Sequence, residues 1–542
     1  MKKVINSNLI NIIIKIMSIV MFFGILSILI FVDTRIEYNY LNKVKKSNYI
    51  YLIIIFLVII ACLILMKLLR KKKDTIKNVL KIFLEKVYKK DKLIIGILFV
   101  VLFIFQIVTL QNIYFETGWD VNCIYTRVEQ FLRNGMIDLN TYFSKYPYFS
   151  IYPNNLFLAN VFVIIGKIVM VFYENWSYIL YKIFVIIDII LIDLAGIIML
   201  KTIENFTDKK SFKLFGALLY IAFIGLSPWF LIPYSDTYSI IFPISILYNY
   251  TKKEKKWYNY LLIGLLSYVG YCIKPTNIIF LIAIMIVEIF KLLFDLKEKE
   301  QLKLKLKSWI IAGIGILIAI IINLVLLNMT KYKVERKYTF SLYHFLMMGI
   351  NTETTGGWNA KDVENDLLIE DYDERIENNK EVFLQRLKAM SPKDFCKFYV
   401  RKILLNYNDG TLAWGREGSF YSFTNPKNNQ FAKTLKNYYY NDGENFYVFT
   451  NVMQFLWIFI ITFLTIGAIL RKFDFKYSVA YLSVIGLTLF TLLFEGRARY
   501  LYLYTPVYVM LSIMGIEQFI KSITLKKKKT KILMLEKGEK NL

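Results

Sequence analysis

Nearly unbroken apolar runs of about twenty residues recur along this chain, and a helix of about twenty residues spans the hydrocarbon core of a bilayer. Leu9–Val32, Tyr49–Leu69, Leu93–Leu110, Trp309–Asn328, Val452–Leu470 and Tyr500–Ile520 are the clearest. Lipid offers no partner to a bare N–H or C=O, and a helix satisfies both within its own segment. The expected fold class is therefore an all-α polytopic membrane protein. The first run is too long for the core of a signal peptide and lacks a small-residue cleavage site, so it should stay as a membrane helix.

The net charge is +27 over 542 residues. Its placement decides what that means. The lysines gather at the ends of apolar runs: Arg70–Lys73, Lys252–Lys256, the alternating Lys303–Lys307 stretch and Lys526–Lys529. This is the positive-inside pattern and suits an anionic inner leaflet. No basic patch interleaved with aromatics points to nucleic acid. The four cysteines, Cys62, Cys123, Cys272 and Cys396, form no C-x-x-C pair, and His344 is the sole histidine, which makes a zinc site implausible.

Charge also sets the expected topology. Met1-Lys2-Lys3 starts inside, and the first two spans return to Arg70–Lys73. The outer loop between them carries Arg35, Lys43, Lys45 and Lys46, a mild violation of the rule. Thr75–Lys92 reads as an inner amphipathic surface helix, and Leu93–Leu110 goes out. The next runs are Asn155–Tyr173, Tyr178–Leu200, Lys213–Trp229, Thr237–Tyr250, Trp257–Ile273, Asn277–Phe294 and Trp309–Asn328. If all seven cross, Lys201–Lys213 and Lys252–Lys256 fall outside. If Asn155–Tyr173 does not cross, those basic loops fall inside and Asp236 falls outside. Lys167 within that run favours the second reading, because a lysine deep in lipid is costly. The segment is then interfacial or re-entrant. About twelve spans result, with both termini inside. The expected divisions are an N-terminal two-helix extension with its linker (1–92), a membrane core (93–328) with a first outer loop (111–154), an outer domain (329–449) and a three-helix membrane region with a basic tail (450–542).

The polar groups with chemical promise fall on the expected outer face. Gly118-Trp119-Asp120 places a carboxylate roughly ten residues past an apolar run, before a helix-like stretch, Tyr125–Arg133. Tyr146-Pro147 and Tyr152-Pro153-Asn154-Asn155 follow. Pro233-Tyr234-Ser235-Asp236 supplies a second carboxylate, Lys274-Pro275-Thr276-Asn277 a cation, and Glu495-Gly496-Arg497-Ala498-Arg499-Tyr500 two more cations. Carboxylates and cations at one membrane boundary suit an anionic lipid head group and a reaction that needs a base. Structural roles compete with each. Asp236 before Thr237 is placed to cap a helix. Arg497 and Arg499 are placed to anchor a helix end to lipid phosphate. Lys274 reads equally as a solvated loop residue. Asp120 reads equally as a cap or a partner for Arg127. His344 reads as structural, and Asp188 and Asp193, inside an apolar run, should face the bundle and pair with polar neighbours.

Taken in order, these pieces resemble the GT-C superfamily of integral membrane glycosyltransferases, which includes the protein O-mannosyltransferases and the bacterial lipid A aminoarabinose transferases. The resemblance runs from Leu93 onward and rests on order and sidedness. It implies a sugar donor carried on polyprenyl phosphate, with inversion at the anomeric carbon. It implies Asp120 as general base, and Lys274, Arg497 and Arg499, with Tyr500 beside them, as the holders of the leaving phosphate. Asp236 would orient the acceptor or help bind a divalent metal, a role that varies in that superfamily. The acceptor would be a cell-envelope glycan, lipid or protein. Two other classes stay open. A lipid-linked-sugar transporter or flippase would use charges at mid-membrane, such as Asp188, Asp193 and Lys182 with Tyr181. A polysaccharide polymerase or ligase would place key groups in the large outer loop, where His344, Arg401 and Arg416 are available.

Overall fold

A computed structural model describes residues 8–32, 47–71, 82, 85–113, 119–137, 146–295, 299–414 and 427–539. The expected Met1-Lys2-Lys3, the loop cations Arg35, Lys43, Lys45 and Lys46, most of the expected surface helix over 75–92, Gly118 and Arg416 lie outside the described residues. Every regular element among the described residues is helical. Among the described residues ten helices are long and apolar enough to cross a membrane. Three shorter apolar paths accompany them. The first is Lys210–Tyr220, prolonged by the π-turn Ile221–Gly225. The second is Ser235–Tyr238 followed by Ile241–Thr251, and the third is Trp257–Ile273.

The basic loops meet at one end of the bundle, here called the lysine end. Asp91 starts one helix there and receives Lys210 at 2.8 Å and Lys213 at 3.4 Å. Lys253 reaches Asp208 at 3.5 Å, and Lys305 pairs with Glu288. Glu517 holds Arg471 at 3.5 Å and Lys521 at 2.8 Å. Loops that the charge rule puts on one side thus converge on one side.

The segment Leu156–Phe172 tests the parity argument most directly. With its 3-10 lead-in, Pro153–Phe172 has the length and apolarity of a span. Its path is different. Asn155, at its start, hydrogen-bonds Tyr148 at the end opposite the lysines. Trp176, just past its finish, begins a helix that descends to Glu204, and Glu204 pairs with Lys213 at the lysine end. Entry and exit are therefore at the same end. The segment packs along the amphipathic helix Asp120–Asn134, which carries Glu129 and Arg133, so it lies at the depth of charged side chains. Lys167 faces outward with its ammonium over the Phe131 ring, 5.6 Å from the centroid. The helix Asp91–Asn112, by contrast, runs from the lysine end, where Asp91 meets Lys210, to the other, where Asn429 donates to Asn112 at 2.7 Å.

Close helix approach supplies much of the packing, as expected where burial from water cannot drive association. Trp257–Ile273 and Lys299–Thr330 cross at Gly264 and Gly315. A methyl group at Gly264 would stand 1.9 Å from the Ala312 carbonyl oxygen, so no larger residue fits.

The polar stretch between Thr330 and Phe446 caps the other end, here called the site end. Its helices are Leu342–Gly349, Ala360–Leu368, Tyr372–Ala389, Pro392–Tyr407 and Gln430–Tyr439. Asn359, Asp371, Ser391 and Asn429 cap four of them through side-chain oxygens that accept backbone N–H groups. Buried tryptophans tie this domain to the bundle: the Trp229 indole donates to the Thr411 carbonyl at 3.1 Å and the Trp457 indole to the Tyr407 carbonyl at 2.7 Å.

Candidate functional site

Helix ends and short 3-10 turns deliver the polar groups at the site end. Asp120 is the first residue of its helix, while Trp119 is the N-cap and makes no side-chain cap bond. Asp120 is half-buried. The Tyr148 hydroxyl donates to its Oδ1 at 2.9 Å, and the Tyr234 hydroxyl donates to its Oδ2 at 3.0 Å. Asn155 in turn donates to the Tyr148 oxygen at 2.8 Å. Burial, then the charge of Asp120, push both phenols well above their ordinary range. Each is therefore a neutral donor at any physiological pH. The expected alternatives for Asp120 are not what forms: Arg127 instead lies over the Tyr148 ring, 4.9 Å from its centroid.

Asp236 is different in kind. It is fully buried, and two cations hold it: Lys274 Nζ lies 2.7 Å from Oδ1 and Arg499 Nε lies 3.8 Å from Oδ2. It is not a cap, because the side chain of Thr237 accepts the Tyr234 N–H at 3.2 Å. Burial draws the Lys274 ammonium below its usual range, Asp236 opposes that, and Arg499 adds to it. This geometry suits a carboxylate that positions two cations better than one that touches an acceptor. It also does not suit a divalent ion, since both of its oxygens already face positive charge. Among the described residues no group of three His, Cys, Asp or Glu side chains gathers as a metal site.

Aromatic rings join the two carboxylates. The Arg499 guanidinium stacks 4.3 Å above the Trp119 ring, and Trp119 meets Tyr234 edge-on at 4.9 Å. Lys274 lies 4.6 Å from the centre of the Tyr500 ring. The Tyr500 hydroxyl donates to Glu495 at 2.9 Å, and Glu495 also receives the half-buried Arg497 at 3.4 Å. Asp120, Asp236, Lys274, Arg499 and Tyr500 are thus brought into one cluster, with Arg497 at its edge. Sequence reasoning missed Tyr148 and Tyr234 as the partners of Asp120, and Glu495 as the anchor of Tyr500 and Arg497. The density of tyrosine and asparagine over 146–155 was the available signal.

The capping domain reaches this cluster. The Ser150 hydroxyl meets the Tyr332 hydroxyl at 2.6 Å, and Thr339 donates to the Ser150 carbonyl at 2.9 Å. Lys402, fully buried, bridges the carbonyls of Gly349 and Phe494, the latter at 2.7 Å, and so fixes the segment that leads into Glu495. Gly356 completes this joint in the left-handed region at φ 75°, where a methyl group would stand 2.3 Å from the Gly349 oxygen.

The residues a polymerase would use are placed otherwise. His344 is buried against Asp366 at 2.7 Å and stacked on Phe340, while Arg401 is exposed. Of the groups a transporter would use, Asp193 accepts from Gln106 at 3.4 Å, Asp188 lies buried beside Thr237, and Lys182 sits over the Tyr178 ring at 4.9 Å.

No curated protein and no solved structure matches the chain. A family model matches residues 4–520, which takes in the bundle, the capping domain and every residue of the cluster. The chain belongs to that family, described as conserved hypothetical integral membrane protein.

Proposed function

We propose that this protein is a membrane glycosyltransferase that moves a sugar from a polyprenyl-phosphate carrier to an acceptor outside the cell membrane. One observation carries the reading: among the described residues a half-buried carboxylate, Asp120, is held by two neutral phenols, within a cluster that also contains Lys274 and Arg499. A base and a phosphate-binding pair are what the reaction requires. The acceptor hydroxyl attacks the anomeric carbon from the face opposite the phosphate. Asp120 takes the hydroxyl proton as the new C–O bond forms. The old C–O bond breaks, and its electron pair leaves with the phosphate oxygen. Lys274, Arg499 and Arg497 stabilise the charge that develops there. Tyr148 and Tyr234 fix the orientation of the base, and Trp119 offers an apolar wall for the sugar ring.

The positive-inside rule puts the lysine end in the cytoplasm and the cluster outside, where a flipped lipid-linked donor is presented. Cysteine labelling beside Asp120 and at Lys253 should report opposite sides, and labelling from one side would overturn this orientation. The chemical test is Asp120→Asn, which keeps size and most hydrogen bonding. Transfer from a synthetic polyprenyl-phosphate sugar should fall by about two to four orders of magnitude in a folded, membrane-inserted variant. Near-normal turnover would remove Asp120 from the role of base.

A further inference from the structure

The capping domain and the cation cluster meet at one joint, and a buried lysine closes it. The stretch 349–357 of the capping domain runs beside the segment 493–497, which leads into the turn Ala498–Tyr504. Lys402, on the helix Pro392–Tyr407, is fully buried between them. Its ammonium donates to the Gly349 carbonyl on one side and to the Phe494 carbonyl, at 2.7 Å, on the other. Two residues on, the Gly496 N–H donates to the Gly356 carbonyl at 2.9 Å. Both sides of the joint are anchored. On the domain side Asn351 donates to Asp362 at 2.9 Å, and Arg386 reaches the same carboxylate at 2.6 Å. On the cluster side Asn406 donates to the Thr491 carbonyl at 3.2 Å. Glu495 sits between the two clamped residues, Phe494 and Gly496. It receives the Tyr500 hydroxyl at 2.9 Å and Arg497 at 3.4 Å, and the Tyr500 ring centre lies 4.6 Å from the Lys274 ammonium.

We propose that Lys402 is a positioning residue: by clamping the segment around Glu495 to the capping domain, it sets Arg497 and Tyr500, and with them Lys274, for the phosphate of the donor. The donor itself rests on the glycosyltransferase reading above. Lys402 acts through the backbone and touches no reacting group. Two carbonyl oxygens could be satisfied by any neutral donor. An ammonium is costly to bury, and what it adds is a pair of charge-assisted hydrogen bonds, stronger than neutral ones. A stiff clamp matters at this place because Glu495 follows the clamped Phe494 carbonyl directly. A shift of the backbone there moves the carboxylate, and the carboxylate carries Arg497 and Tyr500 with it. Phosphate binding by cations depends on such geometry, and a misplacement of about 1 Å far from the chemistry is enough to be felt.

Lys402→Met in the purified full chain provides the test, with two readouts. With a synthetic polyprenyl-phosphate sugar the variant should show a donor KM raised about tenfold and a kcat within about twofold of wild type. Amide hydrogen exchange over 494–500 should quicken, while exchange over Asp91–Asn112 stays as in wild type. A lysine kept for stability alone would lower the yield of folded protein and leave the KM of the folded fraction unchanged, and that result would overturn the proposal. Unchanged exchange over 494–500 would overturn it equally. Should Lys402→Met fail to fold, Gly356→Ala loosens the same joint from the other side, because its methyl group would stand 2.7 Å from the Lys402 ammonium nitrogen. It should give the same rise in KM and the same faster exchange, and wild-type values for both would count against the clamp. The enzyme reading fails separately. A wild type that neither binds nor uses the donor, with exchange over 494–500 still responding to Lys402→Met, would overturn the glycosyltransferase assignment and support the clamp on Glu495.

Discussion

Asp91 at the lysine end and Asp236 at the site end are both buried carboxylates bridged by two cations. Asp91 holds Lys210 and Lys213, and Asp236 holds Lys274 and Arg499. Their surroundings differ. Around Asp91 a further carboxylate, Glu204, is neutralised by Lys213. Around Asp236 the further carboxylate is Asp120, which among the described residues accepts hydrogen bonds from two phenols. The first arrangement consumes its charge internally, as a structural lock does. The second, among the described residues, leaves one carboxylate held by neutral donors in the same cluster as cations already steered into place. A buried ion pair alone says little about function; what distinguishes the site end is the neighbouring carboxylate, which among the described residues is held by neutral phenols and not by a cation.

The largest effect should follow substitution of that carboxylate. Asp120→Asn is expected to lower sugar transfer by about two to four orders of magnitude, while Asp91→Asn should leave turnover per folded molecule unchanged. Equal losses in the two would erase the distinction between the ends. Next comes stability. Asp236→Ala strands two buried cations and should cost about 3–5 kcal/mol, the range for breaking a buried pair. Asp91→Ala should cost less, because Lys210 is half-exposed and regains water, and chemical unfolding in micelles would rank them. The arginines should separate by smaller factors. Arg499, stacked on Trp119 and buried, is expected to lose roughly tenfold in donor affinity on change to Ala, and Arg497, held at the edge by Glu495, somewhat less. Wild-type affinity in both variants would make them membrane anchors only.

The smallest effect concerns a buried lysine that lacks the carboxylate Lys274 enjoys. Burial pushes Lys402 down to about 7, with Glu495 pulling the other way. The unfolded chain then holds the extra proton between about 7 and the ordinary lysine range near 10.4. Stability should therefore rise with pH through that window, by less than about 1.4 kcal/mol per unit, and the penalty should be fully present below it. The rise should vanish in Lys402→Met. A wild-type unfolding midpoint that stays flat or falls from neutral to mildly alkaline pH would contradict this assignment.

The membrane paths were legible because a run of about twenty apolar residues is a local property, complete in itself. The gathering of the basic loops at one end was legible too, because the loop lysines form a set. That reading kept Leu156–Phe172 from being counted as a crossing, against its own hydropathy. The site was legible only in outline. Asp120, Asp236, Lys274 and Arg499 could each be picked out by depth and charge, yet nothing local gave their pairing. Tyr148 and Tyr234 reach Asp120 from 28 and 114 residues away. The Asp236 carboxylate was read as an acceptor guide or metal ligand because its two cations arrive from other helix ends.

By itself, then, the sequence determined an all-helical membrane protein, the grouping of its basic loops and the candidates at the opposite boundary. Hydrophobic length and charge placement act through the solvent, and each segment meets the bilayer on its own terms. Which carboxylate is neutralised by cations and which is held by neutral donors was decided by tertiary structure alone. That choice depends on distances of about 3 Å between groups that the chain brings together only when its helices pack.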